Sequence, residues 1–97
     1  MPSYVILLNW TEQGIKNSHD TLKRAQDFSA AIENRGGKVR EHLYTFGEYD
    51  IVMVAEFPED EAAAAAVLHL GELGNVRSKS MRAFTNQEAR AIISRLG

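Results

Sequence analysis

Cysteine is absent from the 97 residues. That absence excludes disulfides, thiolate zinc sites, iron–sulfur clusters and a cysteine nucleophile together, and it suits a reducing compartment. An excess of one charge is lacking too. Eleven Lys and Arg against 13 Asp and Glu leave a net −2, with both signs mixed along the chain. No basic stripe is available for a phosphate backbone, so no nucleic-acid partner is expected. Long apolar runs are missing as well. The run Val5 to Leu8 has no positive flank and ends at Asn9, far short of a signal-peptide core or a membrane span; the expectation is a cytoplasmic protein without membrane contact. The three histidines, His19, His42 and His69, show none of the short His or Glu spacings that ligate metals, so neither a metal nor a cofactor is expected.

What is present reads as a single domain over residues 1–97, without linker or repeat. Residues 4–10 form a short, continuously apolar segment, expected as a strand buried on both faces. Thr11 to Gly14 interrupt it. A helix entered between Ser18 and Thr21 carries the stripe Leu22, Ala25, Phe28 and Ile32 and stops at Gly36-Gly37. Residues 39–46 and 49–57 read as strands joined by Gly47-Glu48, whose leading glycine suits a two-residue type II′ hairpin. Pro58-Glu-Asp-Glu61 opens a second helix, its acids placed where the helix dipole favours negative charge, and Gly71 or Gly74 ends it. Those glycines lack the following Lys-Ser/Thr of a phosphate loop. Residues 76–84 form a fourth, more polar strand, expected near an edge, where Arg77, Lys79 and Arg82 would deter stray pairing. Thr85-Asn-Gln-Glu88 is a capping box for a last helix bearing Ala89, Ile92, Ile93 and Leu96.

The order βαββαβ defines an α+β, ferredoxin-like antiparallel sheet with an extra C-terminal helix, both main helices lying on one face. Hairpin pairing puts Val39, Glu41, Leu43, Thr45, Asp50, Val52 and Val54 on one side and Arg40, His42, Tyr44, Phe46, Tyr49, Ile51, Met53, Ala55 and Phe57 on the other. Both sides are apolar, and two helices cover only one. The richer aromatic side, with Trp10, is expected to be the open one and to pack against a second copy, unless the last helix folds over it.

With these residues placed, the chain resembles the GYD domain family, small bacterial proteins of the dimeric α/β barrel class. The matching stretches are residues 4–15, Lys23-Arg24, Gly47-Glu-Tyr-Asp50, Pro58-Glu-Asp-Glu-Ala62, Gly74-Asn-Val-Arg77 and Arg82-Ala-Phe-Thr85. The resemblance implies a ferredoxin-like fold and dimers and carries no established activity. His42-Leu-Tyr44 stands where an aromatic-rich strand is usual, and Asn17-Ser-His-Asp20 in a loop that tends to be more basic. The broader class includes cofactor-independent monooxygenases, small isomerases and ligand-sensing modules, a fold-level analogy only.

The candidate ligand-binding residues are Trp10, His42, Tyr44, Met53 and Asn9, expected around a small-molecule cavity enclosed between two sheets of a homodimer. Interface packing is the plainer role for His42 and Tyr44, because no nucleophile or orienting carboxylate stands near them in the sequence pattern. Asp50 is expected to face the helices and to pair with Arg24, with Lys23 or backbone amides as the other partners in reach. The function expected is therefore homo-oligomeric small-molecule binding without catalysis. A small oxygenase or isomerase using His42 and Tyr44, or a stand-alone regulatory sensor, is the alternative.

Overall fold

A computed structural model describes residues 1–97. Four strands, β1 (Ser3–Trp10), β2 (Lys38–Tyr44), β3 (Ile51–Glu56) and β4 (Val76–Ala83), form one antiparallel sheet in the order β2-β3-β1-β4. Helices α2 (Thr21–Asn34) and α3 (Asp60–Glu72) pack on one face, completing the ferredoxin-like arrangement. β4 is an edge strand, as its polarity predicted. No helix is long and apolar enough to cross a membrane.

The hairpin register agrees with the expected one over Tyr44↔Ile51, Leu43↔Val52 and His42↔Met53. The turn itself differs. Thr45 N–H bonds the Asp50 carbonyl, residues 46–49 form a wider loop, and Gly47 lacks the positive φ a type II′ turn requires. A bulge between Val39 and Glu41 then absorbs one residue, so Val39 lies on the His42 side and packs against the core. Thr11 to Gly14 does more than interrupt β1. The Thr11 side chain caps a five-residue helix α1 (Glu12–Lys16), which a 3₁₀ turn (Ser18–Asp20) links to α2. Gly36 takes positive φ after α2, as expected.

The face assignment is corrected. Ile6, Leu8, Ile51, Met53, Ala55 and Phe57 are buried under Phe28 and Ile32 of α2 and Ala63 and Ala66 of α3, so the His42–Met53 side faces the helices. The open side carries Val5, Leu7, Val52 and Val54, with Leu43 and Met81 about half exposed. Sequence alternation establishes which residues share a face, but two apolar faces leave the choice between them to the helices. On the covered face, Ala63 and Ala66 are the buried residues that α3 contributes to the core. Leu22, assigned to the buried stripe of α2, is 64% exposed.

Helix α4 (Asn86–Ser94) has the expected capping box but does not fold over the open face. It buries no residue, and Ile92, Ile93 and Leu96 are exposed. Only 13 of 97 residues are buried. Such a core leaves apolar surface on both the sheet and α4 that further packing could cover.

Candidate functional site

Between the sheet and the two helices lies a cavity of about 330 Å³, within the size range of small-molecule sites. Its origin is local. Ala25 and Ala31 present small side chains from α2 opposite Leu8, Ile51 and Met53, where larger residues would fill the space. Trp10, at the end of β1, and Phe28 add aromatic wall. Leu70 and Leu73 close the α3 side, and Thr21, Arg24, Asp27, His42, His69 and Asn75 bring in the polar atoms.

Of the sequence candidates, Trp10, His42 and Met53 meet in this cavity, inside one protomer and not between two sheets. Tyr44 stands just outside. Its ring lies 5.0 Å from that of His42, edge to face, over a groove against α2 that also involves Leu22 and Ala25. Asn9 lies elsewhere and donates through Nδ2 to the Glu48 carbonyl at 2.9 Å. Burial pushes the His42 pKa below its ordinary value, so its imidazole is neutral at pH 7. No carboxylate is hydrogen-bonded to His42 or Tyr44, and no group of three or more His, Asp or Glu could hold a metal ion.

The expected Asp50–Arg24 pair does not form. Asp50 lies on the opposite face from the helices, where its Oδ2 accepts the Trp10 backbone N–H at 2.9 Å. β3 begins only at Ile51, so the carboxylate takes the place of a strand partner at the end of β1 and holds Trp10 in the cavity wall. Arg24 instead donates to the carbonyls of Asn17 at 2.9 Å and Gly14 at 3.3 Å, tying α2 to the end of α1.

Sequence reasoning missed His69, Asn75 and the α1 anchor. Thr11 N–H bonds the Asn75 carbonyl at 3.0 Å, Thr11 Oγ1 donates to the Gly74 carbonyl at 2.6 Å, and Gln13 Nε2 reaches Asn75 Oδ1 at 3.0 Å. A Thr-x-x-Gly step with a buried glycine was the available signal for this close approach. One buried side-chain polar atom in the protein lacks a hydrogen-bond partner: Trp10 Nε1, on the residue that walls the cavity.

Together, sheet, helices and cavity define a small ferredoxin-like α+β domain. The chain belongs to the GYD domain family, whose model matches residues 4–93. It is 27% identical over 84 residues to a Thermus thermophilus protein named glutamine synthetase and cystathionine beta-lyase binding protein, covering 86% of this chain and 88% of that one. No solved structure matches.

Proposed function

We propose that the protein is a homodimeric binding module that holds a small, largely apolar molecule in the cavity beneath α2 and α3. The observation that carries this reading is the cavity itself, with its apolar wall and a few convergent polar groups. The unpartnered Trp10 Nε1 supports it, since an occupant bearing an acceptor would relieve the cost of that donor after a small ring movement. Pairing two copies through the open sheet face leaves the cavity of each protomer free on the opposite side.

Native mass spectrometry of protein purified without denaturation tests the ligand. Wild type is expected to retain added mass that Ala25→Phe, which fills the cavity, loses while remaining folded. Equal, ligand-free masses for both, with no change in the fluorescence of Trp10 on titration with small aromatic acids and alcohols, would sink the idea.

A second reading, docking of another protein, is favoured by the exposed stripe Ile92, Ile93 and Leu96 and by Phe46, which is 99% exposed. The Thermus relative is named for binding two enzymes. Binding of purified glutamine synthetase and cystathionine β-lyase to wild type, abolished by Ile93→Asp, is the expected result on this reading; no binding by wild type rejects it.

A further inference from the structure

The polar lining of the cavity beneath α2 and α3 is unbalanced. Three of its residues, Trp10, Arg24 and Asn75, carry N–H donors that meet no acceptor in the protein. Trp10 Nε1 is buried and unpartnered. Gln13 Nε2 donates to the Leu73 carbonyl at 3.1 Å and to Asn75 Oδ1 at 3.0 Å, which fixes the orientation of both amides. The end of Asn75 left over is therefore its donor.

Arg24 matters most of the three. Half-buried on α2, its guanidinium gives one N–H to the Asn17 carbonyl at 2.9 Å and another to the Gly14 carbonyl at 3.3 Å. Both acceptors are neutral. No carboxylate lies within ion-pair distance, and the remaining N–H groups have no partner. The two bonds to α1 also hold the guanidinium in place, so its charge is positioned before any ligand arrives.

The rest of the lining does not offset this cation. Asp27, its one carboxylate, is exposed and held by Lys23 at 3.3 Å. His69 is exposed on the α3 side. His42, kept neutral by burial, and Thr21 can each donate or accept, so they decide nothing. What remains is a largely apolar chamber with one uncompensated positive charge in its wall. A half-buried charge of this kind favours an opposite one.

We propose that the ligand is a small amphipathic monocarboxylate, its aromatic or branched aliphatic body in the apolar chamber and its carboxylate received by Arg24. The inference rests on the cavity reading and adds the chemical class of the occupant. A carboxylate can accept from a guanidinium through both oxygens, and it brings acceptors to a lining that also offers the Trp10 and Asn75 donors. An alcohol or amide supplies acceptors without charge and leaves the cation as it was. An amine meets like charge, and a phosphate brings more negative charge than one guanidinium balances. Leu8, Phe28, Ile51 and Met53 receive the body of the acid. A volume of about 330 Å³ lies at the low end for small-molecule sites, so the acid is small.

Isothermal titration calorimetry of the full chain at neutral pH, with phenylacetate against phenylacetamide and isovalerate against isovaleramide, provides the test. Each pair differs in charge at nearly equal shape. A shift of the indole N–H resonance of Trp10, the sole tryptophan, places a bound probe in the cavity. Wild type is expected to bind one acid at least about tenfold more tightly than its amide. Arg24→Met is expected to lower that acid to the affinity of the amide, while the amide stays within about threefold of wild type and so shows an intact cavity. Should Arg24→Met lose both probes, Arg24→Lys decides. It keeps the charge without the planar fork and is expected to retain part of the preference; equal affinities there overturn the proposal. Equal wild-type affinities for acid and amide, or a preference that persists in Arg24→Met, overturn the carboxylate assignment and leave the cavity reading standing. Failure of all four probes to bind, with a ligand-free native mass, overturns both.

Discussion

Gly14→Ala separates local propensity from tertiary packing, because the two predict opposite signs. Gly14 lies inside α1, where alanine is intrinsically better than glycine by about 1 kcal/mol. From the helix alone the substitution should stabilise. In the folded protein, however, an added Cβ overlaps the Asn75 carbonyl oxygen and would stand 2.9 Å from its carbon and 3.2 Å from Asn75 Cα. These are backbone atoms at the start of β4, unable to rotate aside as a flexible side chain would. Overpacking of this kind costs about 1–3 kcal/mol. Displacing Asn75 also weakens the Thr11 bonds to the Asn75 and Gly74 carbonyls, at about 0.5–1.5 kcal/mol each. The net expectation is a destabilisation of about 2–4 kcal/mol. Urea unfolding followed by the fluorescence of Trp10, the sole tryptophan, at fixed protein concentration measures it directly. A midpoint equal to or above wild type, at unchanged slope, would refute the packing argument and show that α1 swings away from Asn75 at little cost. Because Asn75 and Leu73 also line the cavity, the same variant is expected to weaken ligand retention even under conditions where it stays folded.

Three further outcomes follow from individual contacts. Burial lowers the His42 pKa, so the unfolded chain takes up a proton before the folded one does; this contribution to stability is complete above the ordinary histidine value of about 6.5 and is lost as pH falls through the lower folded value. The decline of the urea midpoint on acidification below that value should therefore be shallower in His42→Phe, and parallel profiles would contradict it. Asp50→Ala strands the Trp10 N–H and is expected to cost about 1–3 kcal/mol, and its effect should add to that of Arg24→Ala within about 0.5 kcal/mol, since the two side chains are not partnered. Coupling beyond that would restore the sequence-based pairing. Thr85→Ala removes the capping box of a helix that buries nothing, so amide exchange over residues 86–94 should accelerate while the unfolding midpoint of the sheet stays within experimental error; a clear fall in that midpoint would mean α4 is packed.

The residues reveal where sequence reasoning reached and where it stopped. The hairpin register from His42 to Tyr44 was legible because alternation and a short connection leave few ways to align two strands. The turn was not, since Gly47 permits a left-handed conformation without requiring it, and Thr45 and Asp50 close the loop instead. The grouping of Trp10, His42 and Met53 also followed from strand parity. Their surroundings did not, because a side chain's face says nothing about what lies above it. Asp50 was read as facing the helices, with Arg24, Lys23 or backbone amides as its partners; a backbone amide is the one it has, the Trp10 N–H at the end of β1, but from the other side of the sheet.

Local chemistry alone therefore determined the order of the four strands and the three longer helices, the caps at Thr85 and Gly36, the shared faces of the strands and the presence of two apolar sheet surfaces. These properties depend on neighbours within a few residues or on a period of two. Tertiary structure decided which surface α2 and α3 cover, that Ala25 and Ala31 leave a cavity over Met53, and that α1 seats on Asn75 through Gly14. Those outcomes depend on side-chain volumes brought together from distant parts of the chain, which no local pattern records.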